Sequence, residues 1–304
     1  MKHIFIINPK AGKSDHEKET ISFLKKYDGI IDYEVYVTKY KGDGERFVKD
    51  YLSKASADEK IRFYACGGDG TMNEVVNGCF AHKNVELASY AIGSGNDFSK
   101  NFGDLENFKN LDKLINGTPK LVDCLRVNGR ICMNIANCGF DGEVTYLMQK
   151  FKKLPLMSGP FCYYLSAFTA LLFKVNQYMK VKVDGKVIHD SKAMLIAIAN
   201  GYCYGGGFYC CPEAKVDDGL IDICLLNKIS RFKAAPLVKV FKAGKHVNNP
   251  KLSKTVTYVR GKTVELESNK KLAYAIDGEV FKDKKLSVSI LPSSVEFVVP
   301  ALEK

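Results

Sequence analysis

The sequence predicts an α/β N-terminal domain, with a parallel sheet and flanking helices, followed by a mostly antiparallel β domain built as a sandwich. Strands and helices alternate over the first 120 residues, which is typical of parallel βαβ units. Beyond Pro119 the pattern changes to short strands separated by turn signals. A length of 304 residues is enough for two cores. We therefore place the domain boundary near residue 120.

The N-terminal elements follow from apolar runs and helical spacing. Residues 2–7, 33–38, 61–66 and 87–92 are predicted strands, and residues 15–27 and 45–55 are predicted helices. Ligands bind such a sheet at the carboxyl ends of its strands. The loops that follow these strands are therefore the candidate binding loops.

The second half reads as short strands, predicted over residues 120–127, 130–138, 178–183, 186–188 and 193–200. Asp184-Gly185 is a hairpin turn by its sequence. Residues 148–174 interrupt the strands and are predicted to be largely helical. The most apolar part, residues 161–175, is too short to span a bilayer.

Composition places the chain among ordered globular proteins, with 46% hydrophobic and 26% charged residues. Ten cysteines show no C-x-x-C pair, which favours a reduced, cytoplasmic protein with buried thiols. The N-terminal sequence lacks the apolar core and the cleavage site of a signal peptide.

Positive charge is concentrated in one segment. The net charge is +11, and residues 223–264 contain ten Lys or Arg and no Asp or Glu. At helical spacing, Arg231, Lys239, Lys242, Lys245 and His246 fall within one arc, which is typical of a basic amphipathic helix on an anionic membrane. A solvated face of a packed helix explains the pattern equally well. No aromatic interleaving supports nucleic-acid binding, so we expect no nucleic-acid partner.

The sequence YACGGDGTMNEVVNG at residues 64–78 predicts a strand, a tight turn and a helix. Glycines there bring backbone N–H groups close to a ligand, and a helix N-terminus attracts phosphate. The Asp69 carboxylate would repel phosphate oxygens unless a cation lies between them, which favours a nucleotide with magnesium. A purely structural glycine turn is the alternative.

The same residues resemble a known family. Residues 67–78 match the GGDGT and N-E-V-x-N-G pattern of the diacylglycerol and sphingosine kinases at every fixed position. The GGDG core also occurs in NAD kinases, but Asn73-Glu74 and Asn77-Gly78 favour the lipid kinases. Because the chain is compact and lacks extra modules, it is most similar to the soluble bacterial members. The resemblance implies an NAD kinase-like first domain to which residues 291–304 return. The first domain would then comprise residues 1–120 and 291–304, and the second domain residues 121–290.

The resemblance also implies ATP and magnesium as cofactors, with Asp69 as a catalytic residue that manages the metal. The implied nucleotide contacts are Asn8, Lys13, Thr38, Cys66, Gly67, Gly68, Asp69, Gly70, Thr71, Met72, Asn73, Glu74, Ser94 and Asn96. Ser94 stands where the family has threonine, which keeps a hydroxyl. From the residues alone, Thr38 is an ordinary strand end and Asn96 an ordinary helix cap.

Two further sites are implied in the second domain. The block G-G-G-x…P-x-A-x-x-x-D-G-x-x-D resembles a structural magnesium site, with the Lys215 and Leu220 carbonyls and the Asp218 carboxylate as ligands. A polar turn is the alternative. Asp277 and Glu279, two residues apart on an extended chain, would form an acidic pair, and the resemblance makes one of them the base that deprotonates the lipid hydroxyl. A hairpin tip is the alternative for Asp277-Gly278.

We therefore expect an ATP-dependent lipid kinase that converts diacylglycerol to phosphatidic acid. Its partners would be the lipid substrate and an anionic membrane surface, with the protein cytoplasmic and peripherally bound to the inner face of the membrane. A homodimer is left open. NAD kinase-like phosphorylation of a soluble dinucleotide and a non-catalytic nucleotide-binding or membrane-binding protein are the alternatives.

Overall fold

The structure is a computed structural model that describes residues 1–12, 15–151, 154, 159–173 and 175–302. The chain divides into two compact units. The first unit contains Met1–Cys124 and Pro292–Lys304, and the second unit contains Leu125–Leu291.

The sheet of the first unit contains β1 (Lys2–Ile7), β2 (Asp32–Val37), β3 (Ile61–Gly67), β4 (Val85–Ala91) and the end of β13 (Glu279–Val299). These strands pair in parallel, in the order β13-β4-β3-β1-β2. The helices are α1 (His16–Leu24), α2 (Asp43–Leu52), α3 (Asp69–Cys79) and α4 (Leu111–Ile115). All seven residues of β3 are buried, as expected for a central parallel strand covered on both faces.

The register of this sheet aligns the ends of its strands. Ile7, the last residue of β1, is paired with Cys66 in β3 and with Val37 in β2, and Gly67 is paired with Ala91 at the end of β4. The loops that follow β1, β2, β3 and β4 therefore leave the sheet at one edge.

The remaining strands are β5 (Thr118–Val127), β6 (Arg130–Cys132), β7 (Ile135–Gly139), β8 (Gln177–Val183), β9 (Lys186–Ala199), β10 (Ile221–Asn227), β11 (Val256–Gly261) and β12 (Thr263–Ile276). The remaining helices are α5 (Phe140–Phe151), α6 (Gly159–Phe173) and α7 (Arg231–Lys242). Within the second unit the sheet runs in the order β11-β10-β9-β7-β12-β13, its pairings are antiparallel, and β8 also pairs with β9 and β12.

Several predicted boundaries in the second half were wrong. The predicted strand over residues 130–138 is two strands, β6 and β7, whereas the two strands predicted over 186–188 and 193–200 are the single strand β9. The predicted helix over 148–174 corresponds to α5, which begins earlier at Phe140, and α6.

None of the described helices combines the length and the apolarity that crossing a bilayer requires.

Candidate functional site

Two glycine segments touch at the edge of the first-unit sheet. Gly93, which follows β4, donates its N–H to the carbonyl of Gly67 at 3.0 Å. A Cβ atom added to Gly93 would lie only 2.4 Å from the Cα of Gly68. Because the two backbones are this close, only glycine fits at Gly93, and the two loops lie directly against each other.

The N-terminus of α3 opens at this edge. Its capping residue, Gly68, has no side chain and therefore makes no side-chain cap hydrogen bond to the first turn. Gly70 is exposed, and a Cβ added there would meet no atom within 4 Å. The first turn of an 11-residue helix therefore presents its partial positive charge to an approachable surface, where an anion such as phosphate can bind.

Asp69 lies beside this helix start and is held by the second glycine loop. Its Oδ1 accepts the backbone N–H of Asp97 at 2.7 Å, and its Oδ2 lies 2.6 Å from where a Gly95 Cβ would be. Asp97 in turn accepts a hydrogen bond from Lys100 Nζ at 2.5 Å. Two carboxylates are thus close to one anion-binding helix end, which is a donor set that suits a divalent cation bridging to phosphates.

Four other predicted contact residues lie at the same edge. Asn8 donates from Nδ2 to Thr71 Oγ1 at 3.2 Å, and the Thr38 N–H bonds the carbonyl of Ile7 at 2.9 Å. Ser94 is exposed on the loop after β4. The structure therefore brings Asn8, Thr38, Thr71 and Ser94 to the strand ends that carry the glycine loops.

Asn96 stabilises its own loop through side-chain hydrogen bonds. It has a left-handed φ of 51°, and its Nδ2 donates to the carbonyls of Ala91 (3.1 Å) and Gly93 (2.8 Å). The interpretation of Asn96 as an ordinary helix cap is wrong, because the side chain closes the turn after β4.

Other predicted contacts are buried or bind a neighbouring helix. Cys66, Met72 and Asn73 are buried, and burial raises the pKa of the Cys66 thiol. Glu74 accepts the N–H groups of Gly42 (2.7 Å) and Gly44 (3.0 Å), so it binds the start of α2. Lys13 lies outside the described residues.

The sequence reasoning did not include Gly95 or Asp97 among the site residues. Both lie in the GSGND sequence that had already indicated Ser94 and Asn96. The signal available was the second short glycine pair, Gly93 and Gly95, after a predicted strand.

In the second unit, Asp277 lies in the two-residue turn between β12 and β13. Asp277 and Gly278 have φ values of 46° and 86°, which are typical of a type I′ hairpin turn. The extended backbone that predicted an acidic pair with Glu279 is therefore wrong, and the hairpin alternative is correct. Glu279 is the first residue of β13, is half-buried and pairs with Ile276.

The Asp277 carboxylate binds the backbone of the segment between β6 and β7. It accepts the N–H groups of Met133 (2.8 Å), Asn134 (3.0 Å) and Ile135 (3.1 Å), and the Cys132 thiol lies 3.2 Å away. Asp277 therefore fixes the break between these two strands.

The predicted magnesium ligands surround a turn in which Asp218 contacts Arg260. Asp218 Oδ1 accepts the N–H of Leu220 at 3.1 Å, and Arg260 Nη1 lies 3.6 Å from its Oδ2. Asp222 is buried beside them and accepts from Arg260 Nε at 2.8 Å; burial raises its pKa. Among the described residues, no three His, Cys, Asp or Glu side chains cluster as a metal site. Arg260 supplies positive charge beside Asp218. The Lys215 and Leu220 carbonyls and the Asp218 carboxylate as magnesium ligands stay a prediction.

The predicted basic arc is only partly helical, because α7 ends at Lys242, before Lys245 and His246. His246 is buried, lies beyond the end of α7, and its Nε2 is 3.0 Å from the carbonyl of Cys210. Burial lowers the pKa of His246, which opposes a positive charge there. The remaining members of the arc, Arg231, Lys239, Lys242 and Lys245, are exposed.

Comparisons with known proteins agree with this architecture. Residues 2–127 match the diacylglycerol kinase catalytic domain, and residues 134–299 match the YegS C-terminal NAD kinase beta sandwich-like domain. The chain is 28% identical over 278 residues to a diacylglycerol kinase of Bacillus subtilis, covering 90% of this chain and 88% of that protein. It is 29% identical over 308 residues to a probable lipid kinase YegS-like of Shewanella frigidimarina, covering 99% and 94%.

A crystal structure of a putative diacylglycerol kinase from Bacillus anthracis superposes with a TM-score of 0.75 at 26% identity, covering 98% of this chain and 96% of that chain. The two domain matches follow each other in the order of the two units and together span nearly the whole sequence. The chain therefore belongs to the lipid kinase family in which a diacylglycerol kinase catalytic domain is followed by a YegS C-terminal domain.

Proposed function

We propose that the protein transfers the γ-phosphate of ATP to the hydroxyl of diacylglycerol, yielding phosphatidic acid. The observation that carries the proposal is the N-terminus of α3, whose capping residue is a glycine and which opens between two glycine loops with Asp69 beside it. The acceptor is supported by relatives that carry the name diacylglycerol kinase.

The triphosphate would lie against the first-turn amides of α3, where Gly70 leaves the backbone approachable. Asn8 and Ser94 offer polar side chains from the neighbouring loops. Magnesium, when bound, neutralises the charge of the phosphates, and Asp69 with Asp97 would hold it. Phosphoryl transfer depends chiefly on such positioning and charge neutralisation, which these residues supply.

For the general base we choose Glu279 over Asp277. The Asp277 oxygens already accept three backbone amides, and hydrogen bonds to the ionised form of a carboxylate make it a weaker proton acceptor. Glu279, half-buried at the start of β13, is the other acid of the predicted pair, and a base that acts on an alcohol must be able to accept its proton.

Substrate use is tested with radiolabelled ATP and magnesium in three parallel reactions, containing diacylglycerol in mixed micelles, NAD in buffer, or neither. We expect labelled phosphatidic acid only. Labelled NADP would overturn the proposal in favour of the dinucleotide kinase, and ATP binding without any labelled product would show a non-catalytic protein.

The site is tested with Asp69→Asn, which retains an oxygen to accept the Asp97 amide but removes the negative charge. We expect phosphatidic acid formation to fall by about 10²-fold or more while the unfolding midpoint is unchanged. Glu279→Gln should lower kcat with little effect on the KM for ATP. Full activity in Asp69→Asn would remove this residue from the mechanism.

A further inference from the structure

Helix α6 in the second unit carries large apolar side chains on its outward face. Phe161, Tyr164 and Phe168 are 62%, 68% and 58% exposed. Their spacing of three and four residues places them on one side of the helix. Three aromatic rings on one exposed helix face form an apolar patch, which soluble proteins keep small unless something binds there.

The inward face of α6 has the opposite composition. Cys162, Ser166 and Ala170 are buried, and the Cys162 thiol donates to the carbonyl of Met148 in α5 at 3.5 Å. Small side chains thus allow α6 to pack closely on α5, while Phe161, Tyr164 and Phe168 face outward. A surface helix in water shows the reverse order, with its apolar stripe inward.

Two further exposed rings lie at a junction between α6 and α7. Asn176 follows Phe173 by three residues, and Ile229 precedes Phe232 by three residues. The two residues are joined by two hydrogen bonds: Asn176 Nδ2 donates to the Ile229 carbonyl (2.7 Å), and Asn176 Oδ1 accepts the Ile229 N–H (3.0 Å). Phe173 is 74% exposed and Phe232 is 94% exposed. We call Phe161, Tyr164, Phe168, Phe173 and Phe232 the aromatic surface.

The sequence around the aromatic surface is basic. Residues 144–183 contain six lysines and no Asp or Glu, and residues 223–264 contain ten Lys or Arg and no Asp or Glu. Arg231 and Lys233, on either side of Phe232, are exposed. Aromatic side chains with basic neighbours are the composition that favours the headgroup region of an anionic bilayer.

We propose that the aromatic surface docks on an anionic lipid bilayer, with α6 lying in the plane of the interface and its rings entering the headgroup region. The inference rests on the proposed function, because a kinase acting on diacylglycerol must reach a substrate that resides in a membrane. A second copy of the chain fits the surface less well, since a two-fold contact would bring the basic neighbours of both copies together.

Docking is tested by sedimentation with sucrose-loaded vesicles of phosphatidylcholine alone or with about one third phosphatidylglycerol. The parent should sediment with the anionic vesicles only, and less so at high salt. Phe161→Ser/Tyr164→Ser/Phe168→Ser should partition about tenfold or more weakly. The single change Phe232→Ser, at a nearly fully exposed position, serves as a second variant should the triple variant fold poorly, and it should weaken partitioning in the same direction.

The matched control is Ile30→Ser/Tyr40→Ser/Leu302→Ser, which removes three exposed apolar side chains of the first unit and should leave partitioning unchanged. Turnover of a water-soluble short-chain diacylglycerol should be equal in all forms, which separates docking from catalysis. Unchanged partitioning of the folded triple variant and of Phe232→Ser would overturn the inference. A lipid-free dimer of the parent that the triple variant loses would overturn it in favour of self-association.

Discussion

Glu74 illustrates how one side chain fixes the geometry of the edge where we propose that the nucleotide binds. Its two oxygens accept the N–H groups of Gly42 and Gly44, which are the amides at the start of α2 that the helix itself cannot satisfy. The carboxylate also complements the positive end of that helix. A side chain of α3 therefore orients α2, and Glu74 acts on the site through packing.

The sequence could not reveal this role. The motif N-E-V-x-N-G identifies Glu74, but its partners lie about 30 residues earlier in the chain. Asp277 gives the same lesson, because its partners lie between Cys132 and Ile135 and only the fold brings them within 3.2 Å. Local signals predicted the residues, and long-range hydrogen bonds decided what they do.

Asp141 provides a pH-dependent prediction at the residue scale. Burial raises the pKa of this carboxyl from 3.8 to about 6, although the hydrogen bond donated by Tyr204 opposes the rise. Between these two values the folded protein retains a proton that the unfolded chain has lost. The free energy of unfolding therefore falls as the pH rises through this window, and the stabilisation is gone above about pH 6.

Above about pH 6 we expect Asp141→Asn to be more stable than the parent. Its free energy of unfolding should also lack the decrease that the parent shows between the two pKa values. The measurement is the urea unfolding midpoint at several values from about pH 4 to about pH 7. Asp184→Asn is a control for which the pH dependence of stability has the opposite sign. The amides of Lys262 and Thr263 lower the pKa of Asp184, so the stabilisation that Asp184 contributes is lost as the pH falls. Parallel curves for the parent and Asp141→Asn would contradict the assignment.

At the scale of elements, the strands of the first unit were the most predictable. Their apolar runs and the glycine turn after β3 are local features, so residues 61–66 predicted β3 to within one residue. The predicted break within β9 was wrong because its polar residues, including His189 and Asp190, lie on an exposed part that pairs with β8. Hydrogen bonding to β8 therefore keeps this part of β9 extended, although its side-chain pattern alone does not predict a strand.

The contact between the two glycine loops predicts unequal effects of two alanine substitutions. Gly93→Ala places a Cβ 2.4 Å from the Gly68 Cα, whereas Gly70→Ala meets no atom within 4 Å. We expect Gly93→Ala to lose about 1–3 kcal/mol of unfolding free energy. Gly70→Ala should retain or slightly gain stability, because alanine is the better helix residue.

Urea unfolding and ATP titration of both variants provide the measurement. If phosphate lies against the first turn of α3, Gly70→Ala should weaken ATP binding without any loss of stability. Unaltered ATP affinity in that variant would place the nucleotide elsewhere.

At the scale of the whole molecule, the first unit is assembled from two separated parts of the chain. Residues Glu296 and Phe297 of β13 pair with Glu86 and Leu87 of β4. Phe297 is fully buried, and its ring centroid lies 5.0 Å from that of Phe98 and 4.9 Å from that of Phe102. The last strand therefore supplies part of the core next to the glycine loops.

We expect Phe297→Ala to lower the free energy of unfolding of the first unit by about 3–5 kcal/mol, because it leaves a cavity among aromatic rings. Leu302→Ala, an exposed position in the same segment, is the control and should have little effect. Urea unfolding followed with and without ATP reports on this unit, since ATP stabilises only the part that binds it. Equal stability of the two variants would show that Phe297 is not a core residue.

The late position of Phe297 in the chain also determines which unit can complete its core first during translation. A ribosome completes all of Leu125–Leu291 before it makes the ring that closes the aromatic cluster of Phe98 and Phe102. The second unit, an uninterrupted segment, can mature while synthesis continues, whereas residues 1–124 lack the Phe297 ring until β13 is made. The codons for β13 thus decide when the first unit can complete its core.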